Sequence, residues 1–329
     1  DVSHYVRPGS ALDTEAYRRA TSVYLVDRTI PMLPEALSNE LCSLNPDVDR
    51  LTMSAVFTFD KNNKIVEEWY GKTVIHSHYR FTYENAQEVL DKKDGPYYRE
   101  LQAALDISKY LEKERFANGA ISIDSQEVKF KLDEKGVPTG VYIKTRGDTH
   151  HMIEELMLLA NRKVAESITK DQDRVFVFRV HPKPELDRMQ DLYMFLKRLG
   201  YAVKRDEDGI IPTSEINRVL QDLDGKPEKD TIQTAIARTM SKAIYSTKNI
   251  GHYGLAFEFY THFTSPIRRY PDVMVHRLLQ MVLDHEQVTQ KEFAEIIRMC
   301  AYSSDREKDA QTAEWDSIKF KQVEYMSDR

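Results

Sequence analysis

The chain has 329 residues, 41% of them hydrophobic and 30% charged, with a formal net charge of −6. Such proportions describe a globular chain of one large domain or two ordinary ones, and no apolar run approaches the roughly 18 residues of a membrane-spanning helix, so no membrane partner is expected. The negative balance excludes a surface that is basic throughout, but it leaves room for a channel that gathers Arg and Lys inside. The two cysteines, Cys42 and Cys300, match no zinc or CxxC spacing and fit a reducing, cytoplasmic setting. The opening DVSHYVRPGS carries neither an initiator Met nor a signal sequence, and reads as the interior of a longer protein.

In chain order, Asp1–Val6 reads as a short strand and Leu12–Ala20 as a helix with Asp13 and Glu15 in its first turn. Ser22–Val26 is a strand candidate, and Pro34–Leu41 a short helix after the restricted Pro31 and Pro34. Leu51–Asp60 alternates as a strand, turns at Asp60-Lys61-Asn62-Asn63, and continues as strand from Ile65 to Tyr79. Phe81–Asp91 and Tyr98–Ala117 read as helices separated by the breaker Asp94-Gly95-Pro96. Ile121–Ile123, Val128–Leu132 and Gly140–Lys144 form a strand meander, and His150–Thr169 is the most strongly periodic helix. Val175–Val180 follows as a strand, then helices at Lys183–Leu199, Ser214–Leu223 and Thr231–Tyr245, and a strand-like aromatic stretch at Gly251–Tyr260. Helices at Lys291–Tyr302 and from Asp305 onward close the chain. Strand meanders beside long helices, without βαβ regularity, point to an α+β fold in one large domain with a strand-rich core.

The stretch THFTSPIRRYPDVMVHRLL, Thr261–Leu279, is the most suggestive locally. Ser265-Pro266 signals a helix start, Pro271 restarts the turn, and Met274, Val275, Leu278, Leu279 and Val282 recur at helical spacing. Arg268 and Arg269 sit at the helix entrance, where the dipole disfavours cations unless an anion shares the place. Free N–H groups with a forked guanidinium suit a phosphate; a solvated Arg pair on a cap suits the same pattern equally well.

Six blocks carry a resemblance: DVSHYVRPGSALDTEAYRRATSVYL, DRTIPMLPEALSNELCSLNP, HHMIEELMLLAN, RVHPKPE, NIGHYGLAFEFYTHFTSPIRRYPD and VHRLL. Together and in this order the chain resembles the catalytic (RNB) domain of the ribonuclease II family, and within it the bacterial ribonuclease R branch. The resemblance implies processive 3′→5′ hydrolysis of single-stranded RNA to nucleoside 5′-monophosphates, with Mg²⁺ as cofactor; a monomer is expected. It implies that Arg268 grips the scissile phosphate; Arg269, its neighbour at the same helix entrance, is expected as a further RNA contact. It implies that Glu154 contacts the 3′-terminal nucleotide, and that Tyr24 and Tyr83 line the nucleotide path, where aromatic faces stack bases without choosing among them. Glu155, about 100° around the helix, cannot share the face of Glu154. These four positions, Tyr24, Tyr83, Glu154 and Arg268, are expected around one deep groove.

Taken alone, a Tyr in a strand is usually a core residue and a Glu-Glu pair usually a solvated face. His150-His151 diverge on a helix and carry no ligand role; His4, His252, His262 and His276 read as structural hydrogen-bonders. The family's metal-binding aspartate cluster precedes the segment matched by DVSHYV, so this chain is expected to hold no metal and to be inactive by itself. The flanking OB-fold RNA-binding domains are expected to be absent from residues 1–329. The acid pairs Asp47/Asp49, Asp171/Asp173, Asp206/Asp208 and Asp222/Asp224 read as solvated loops and not as substitutes. A non-catalytic RNA-binding or scaffolding module of the same fold is the alternative, and an unrelated α+β hydrolase a third.

Overall fold

The computed structural model describes residues 1–121, 127–144, 146–169 and 174–327. Asp1 caps a single helical turn, α1 (Val2–Tyr5), by accepting the His4 N–H; the strand expected there does not form. Ser10 accepts the Asp13 N–H and starts α2 (Ala11–Arg19). A two-residue hairpin, β1 (Val23–Tyr24) with β2 (Thr29–Ile30), precedes a wide helical turn at Ala36–Leu41. The long ribbon of β3 (Asp49–Phe59) and β4 (Ile65–His76) follows. After it, α3 (Tyr83–Lys92) and α4 (Tyr98–Ala117) pack on α5 (Asp148–Thr169) through Leu90, Leu105 and Met152. Between α4 and α5 lies the hairpin of β5 (Glu127–Leu132) and β6 (Pro138–Lys144). The strand expected at Ile121–Ile123 falls largely outside the described residues.

The strands thus pair as antiparallel two-stranded ribbons among the described residues, and the fold is mixed α+β. The core is nevertheless helical rather than strand-rich. Val164, Ala165 and Ile168 of α5 pack with Tyr270, Val273 and Val275 of α9 (Tyr270–Leu283), with the buried Phe176–Phe178 stretch beside them. A second core lies between α6 (Leu186–Arg198), α7 (Thr213–Asp222) and α8 (Lys229–Thr239), filled by Leu196, Ile216, Ile232 and Ile236.

Three other expectations are corrected. The helix predicted to run to Tyr245 ends at Thr239, because Met240 turns extended and Ile244–Ser246 becomes β8, paired with β7 (Phe178–Val180). Gly251–Tyr260 is not a strand but a loop around the short helical turn Tyr253–Leu255, with His252 bridging His181 and Phe257. The two C-terminal helices are one, α10 (Gln290–Ser327). The apparent break at Ser303-Ser304 is absorbed because the Ser304 hydroxyl donates to the Cys300 carbonyl at 2.8 Å and accepts the Tyr245 N–H at 2.9 Å. Among the described residues no helix is long and apolar enough to cross a membrane.

Candidate nucleic-acid interface

The Thr261–Leu279 stretch is fixed from three sides before it reaches its arginines. The buried Thr261 hydroxyl donates to the Val177 carbonyl at 2.7 Å, and the Asn161 side-chain oxygen on α5 accepts the Phe263 and Thr264 N–H groups at 2.9 and 3.2 Å. His276 Nε2 donates to the Phe263 carbonyl at 2.8 Å. Ser265 then opens a turn, its carbonyl accepting the N–H groups of Arg268 and Arg269, and α9 begins only at Tyr270, with Pro271 in the first turn where its missing N–H costs nothing.

Ser265 was expected to cap this helix, but the carboxylate of Asp272, fully buried in the first turn, organises it instead. One Asp272 oxygen accepts the Ser265 N–H at 2.7 Å and Arg269 Nη2 at 2.8 Å; the other accepts Arg269 Nε at 2.8 Å. Burial opposes the Arg269 charge, but the Asp272 carboxylate outweighs it and holds the guanidinium more firmly protonated than usual. Arg269, expected beside Arg268 as an RNA contact, therefore lines the site while turning its fork inward. Arg268 has no side-chain ion pair among the described residues and is exposed. Its carbonyl accepts the Ser22 N–H at 3.0 Å, and the Tyr270 N–H donates to Ala20 at 2.8 Å, so the Thr21–Tyr24 segment is zipped against it.

This zipper brings Tyr24, Arg268 and Arg269 into one cleft of about 980 Å³. Its cations are Arg179, Arg188, Arg238, Lys242, Arg268, Arg269 and Lys308, against only two carboxylates, Glu307 and Glu314. Glu307 is engaged bidentately by Arg179 at 2.6 and 2.9 Å. Arg188, Arg269 and Lys308 are also paired, with Glu185, Asp272 and Asp305, so Arg238, Lys242 and Arg268 are the lining cations left without an ion pair among the described residues, and they favour a polyanion there although the chain carries a net charge of −6.

Tyr83 and Glu154 do not line this cleft. Tyr83, at the start of α3, stacks its ring on His150 at 4.0 Å and 15°, and stays 42% exposed. Glu154, one turn along α5 from His150, pairs with Arg146 at 2.5 Å. Burial, then Lys144 and Arg146, push the His150 pKa down, so the stack is made by a neutral imidazole. Asn161 lies seven residues beyond Glu154, on the same helical face and about 10 Å along the axis. One helix therefore carries Glu154 near its start and, two turns on, the amide that fixes the backbone leading to Arg268. Glu155 points elsewhere and is buried against Arg115, as the helical rotation requires.

A family model for the RNB domain matches residues 1–285. The chain belongs to the RNB-domain family. Ribonuclease R of Thermotoga maritima is 39% identical over 340 residues, which span 99% of this chain and 47% of that protein. The structure of Mycoplasma genitalium RNase R in complex with ribose methylated single-stranded RNA matches with a TM-score of 0.92 at 30% identity, covering 99% of this chain and 52% of that one. The same enzyme in complex with double-stranded RNA matches with a TM-score of 0.92 at 30% identity, over 100% of this chain and 60% of that one. This RNB chain spans about half the length of the curated relatives it matches.

The histidines of the RNB chain are part of its scaffold. His252 accepts the Leu255 N–H at 3.2 Å, and His262 Nδ1 lies 2.8 Å from the Tyr245 hydroxyl. Burial lowers the pKa of His252 to about 3 and of His276 to about 4, and pushes His181 and His262 down as well. His4 packs its ring edge-on against Tyr5.

A hard divalent cation needs several oxygen ligands converging on one point. Among the described residues no three His, Cys, Asp or Glu side chains do so. Asp206 caps its own turn through the Ile210 N–H, Asp222 and Asp224 pair with Arg218 and Lys229, and Asp171/Asp173 lie outside the described residues. The donors among the described residues do not fit Mg²⁺.

Two residues that organise the interface escape a reading of motifs. Asp272 carries a signal, an acid three residues after Arg269 in a first helical turn. Asn161 carries a weaker one, a polar residue ending the otherwise apolar MLLAN run.

Proposed function

We propose that this RNB chain is the RNA-gripping part of a 3′→5′ exoribonuclease that releases nucleoside 5′-monophosphates from single-stranded RNA. The observation that carries the reading is the Arg268 guanidinium, without an ion pair among the described residues, which lines the same cation-bearing cleft as Tyr24 next to the Asp272–Arg269 clamp. A planar fork aimed at an oxyanion stabilises the charge that grows on a phosphate during hydrolysis. Tyr24 stacks a base near that phosphate. Tyr83, on its His150 backing, and Glu154 hold the 3′-terminal nucleotide. Arg269 is a positioning residue whose bond to Asp272 sets the direction of Arg268. The ribonuclease R relatives and the M. genitalium complex with single-stranded RNA support the substrate class.

The intact enzyme uses Mg²⁺ and works as a cytoplasmic monomer in this reading, and the isolated 329-residue chain binds RNA without cleaving it. The test uses the full-length parent and a 5′-labelled single-stranded oligonucleotide. Shortening from the 3′ end with release of 5′-monophosphates is expected. Internal cuts, or release of 3′-monophosphates, would refute the assignment.

A further inference from the structure

One face of α10 faces the cleft and has no role in the reading above. Ser304, Glu307, Lys308, Gln311, Glu314 and Trp315 line it, and their spacing of three and four places them along a single helical stripe. Trp315 is 54% exposed and makes no ring contact with another aromatic side chain among the described residues. A single exposed apolar side chain is ordinary on a protein surface; Trp315 is distinguished by lining the cleft of Arg268 and Tyr24. Its apolar neighbours farther along the helix, Phe320, Val323 and Met326, are also exposed, but they do not line the cleft.

Charge decides what Trp315 meets. Arg238 and Lys242, which have no ion pair among the described residues, line the same concavity as Arg268. A cationic groove that tracks a backbone, interrupted by exposed aromatic faces, is the arrangement that holds single-stranded nucleic acid. Tyr24 supplies one such face, 44% exposed. The position of the two relative to each other is fixed, because the Val26 N–H after β1 donates to Ser317 on α10 at 3.1 Å.

We propose that Trp315 is a second base-stacking residue of this cleft, holding a nucleobase of a bound single strand while Arg238 and Lys242 hold its phosphates. The inference rests on the RNA reading and extends it to a wall that none of Arg268, Tyr24, Tyr83 or Glu154 occupies.

The test uses the 329-residue chain and a short oligouridylate at fixed, stated salt. The chain has two tryptophans, so Trp69→Phe, on the β3–β4 ribbon, leaves Trp315 as the sole indole reporter. Adding the strand should quench its fluorescence. Trp315→Ala should weaken binding about tenfold, the scale of one lost base stack, and Trp315→Phe should recover most of it. An abasic strand of the same length should bind Trp315→Ala and the unsubstituted chain equally. If the chain retains RNA while Trp315→Ala binds as tightly and the indole is not quenched, the Trp315 assignment alone falls. If the chain retains no RNA at low salt, the RNA reading falls and this inference with it. Quenching by an acidic peptide but not by the strand would make the wall a protein-docking surface and overturn the proposal.

Discussion

Asp272 grips the guanidinium of Arg269 with both carboxylate oxygens at 2.8 Å, while Arg268, one residue earlier, is left without an ion pair among the described residues. Two adjacent arginines of the same type thus have opposite tasks. The inward one is part of the fold, and the outward one is available to an anion.

That division predicts a stability difference. Asp272→Asn removes the anion from a buried pair and leaves the Arg269 charge uncompensated, which costs on the order of 3–5 kcal/mol. In an Arg269→Met background the same substitution should cost much less, because no buried charge is stranded. Urea midpoints of the four proteins of this cycle measure the coupling. Equal losses in both backgrounds would show that Asp272 acts through the Ser265 N–H alone.

Much of this arrangement is legible in the sequence, for identifiable reasons. α4 is predicted from Tyr98 to Ala117 and observed there, because Leu101, Leu105 and Leu111 repeat on one stripe behind a Gly-Pro breaker. The cleft is harder to see. Tyr24 and Arg268 are 244 positions apart and are brought together by hydrogen bonds of Ala20, Thr21 and Ser22 to the Arg268–Tyr270 backbone, which no local pattern announces. That the residues lining the cleft do not include Tyr83 and Glu154 is equally invisible, since no local pattern announces it. The Gly251–Tyr260 stretch misleads because aromatic density mimics a strand, whereas its rings pack around half-buried His252 and His262.

His252, with the buried His276, makes stability depend on acid. An unfolded His titrates near 6.5, whereas His276 holds out to about 4 and His252 to about 3. Below the unfolded pKa the denatured chain takes up protons that the native chain refuses. Stability is therefore full above about pH 6.5 and is lost as pH falls toward 4 and below. His276→Gln keeps a donor for the Phe263 carbonyl and removes one titrating group, so the slope of stability against pH between 6.5 and 4 should become shallower. Thermal midpoints across that range measure it; an unchanged slope would mean that His276 does not titrate on unfolding.

The metal argument gives a direct expectation for the chain by itself. No three metal-binding donors converge among the described residues, so 329 residues with Mg²⁺ should bind single-stranded RNA and release no mononucleotide. Chromatographic detection of nucleoside 5′-monophosphate is the measurement. Metal-dependent release that disappears in Arg268→Lys, and so cannot come from a contaminating nuclease, would show that a ligand set exists in this chain.

The role of Arg268 itself separates chemistry from binding, and its test needs the full-length parent. Arg268→Lys keeps the charge but loses the planar fork that engages two phosphate oxygens at once. If the fork stabilises charge developing in the transition state, single-turnover decay of a labelled oligonucleotide should slow on the order of a hundredfold or more. Affinity should change far less, because Arg238 and Lys242 line the same cleft and share the salt-dependent phosphate contacts with Arg268. Tyr83→Ala should show the reverse balance. It removes a stacking face from its His150 backing, so the hold on the 3′ end should weaken by about tenfold, with a smaller effect on the rate at saturation. Both constants must be measured at one stated salt concentration, since the cationic cleft makes affinity steeply salt-dependent. Equal losses of affinity and turnover in Arg268→Lys would reduce Arg268 to one phosphate contact among several, and the transition-state role would have to pass to another group in the cleft.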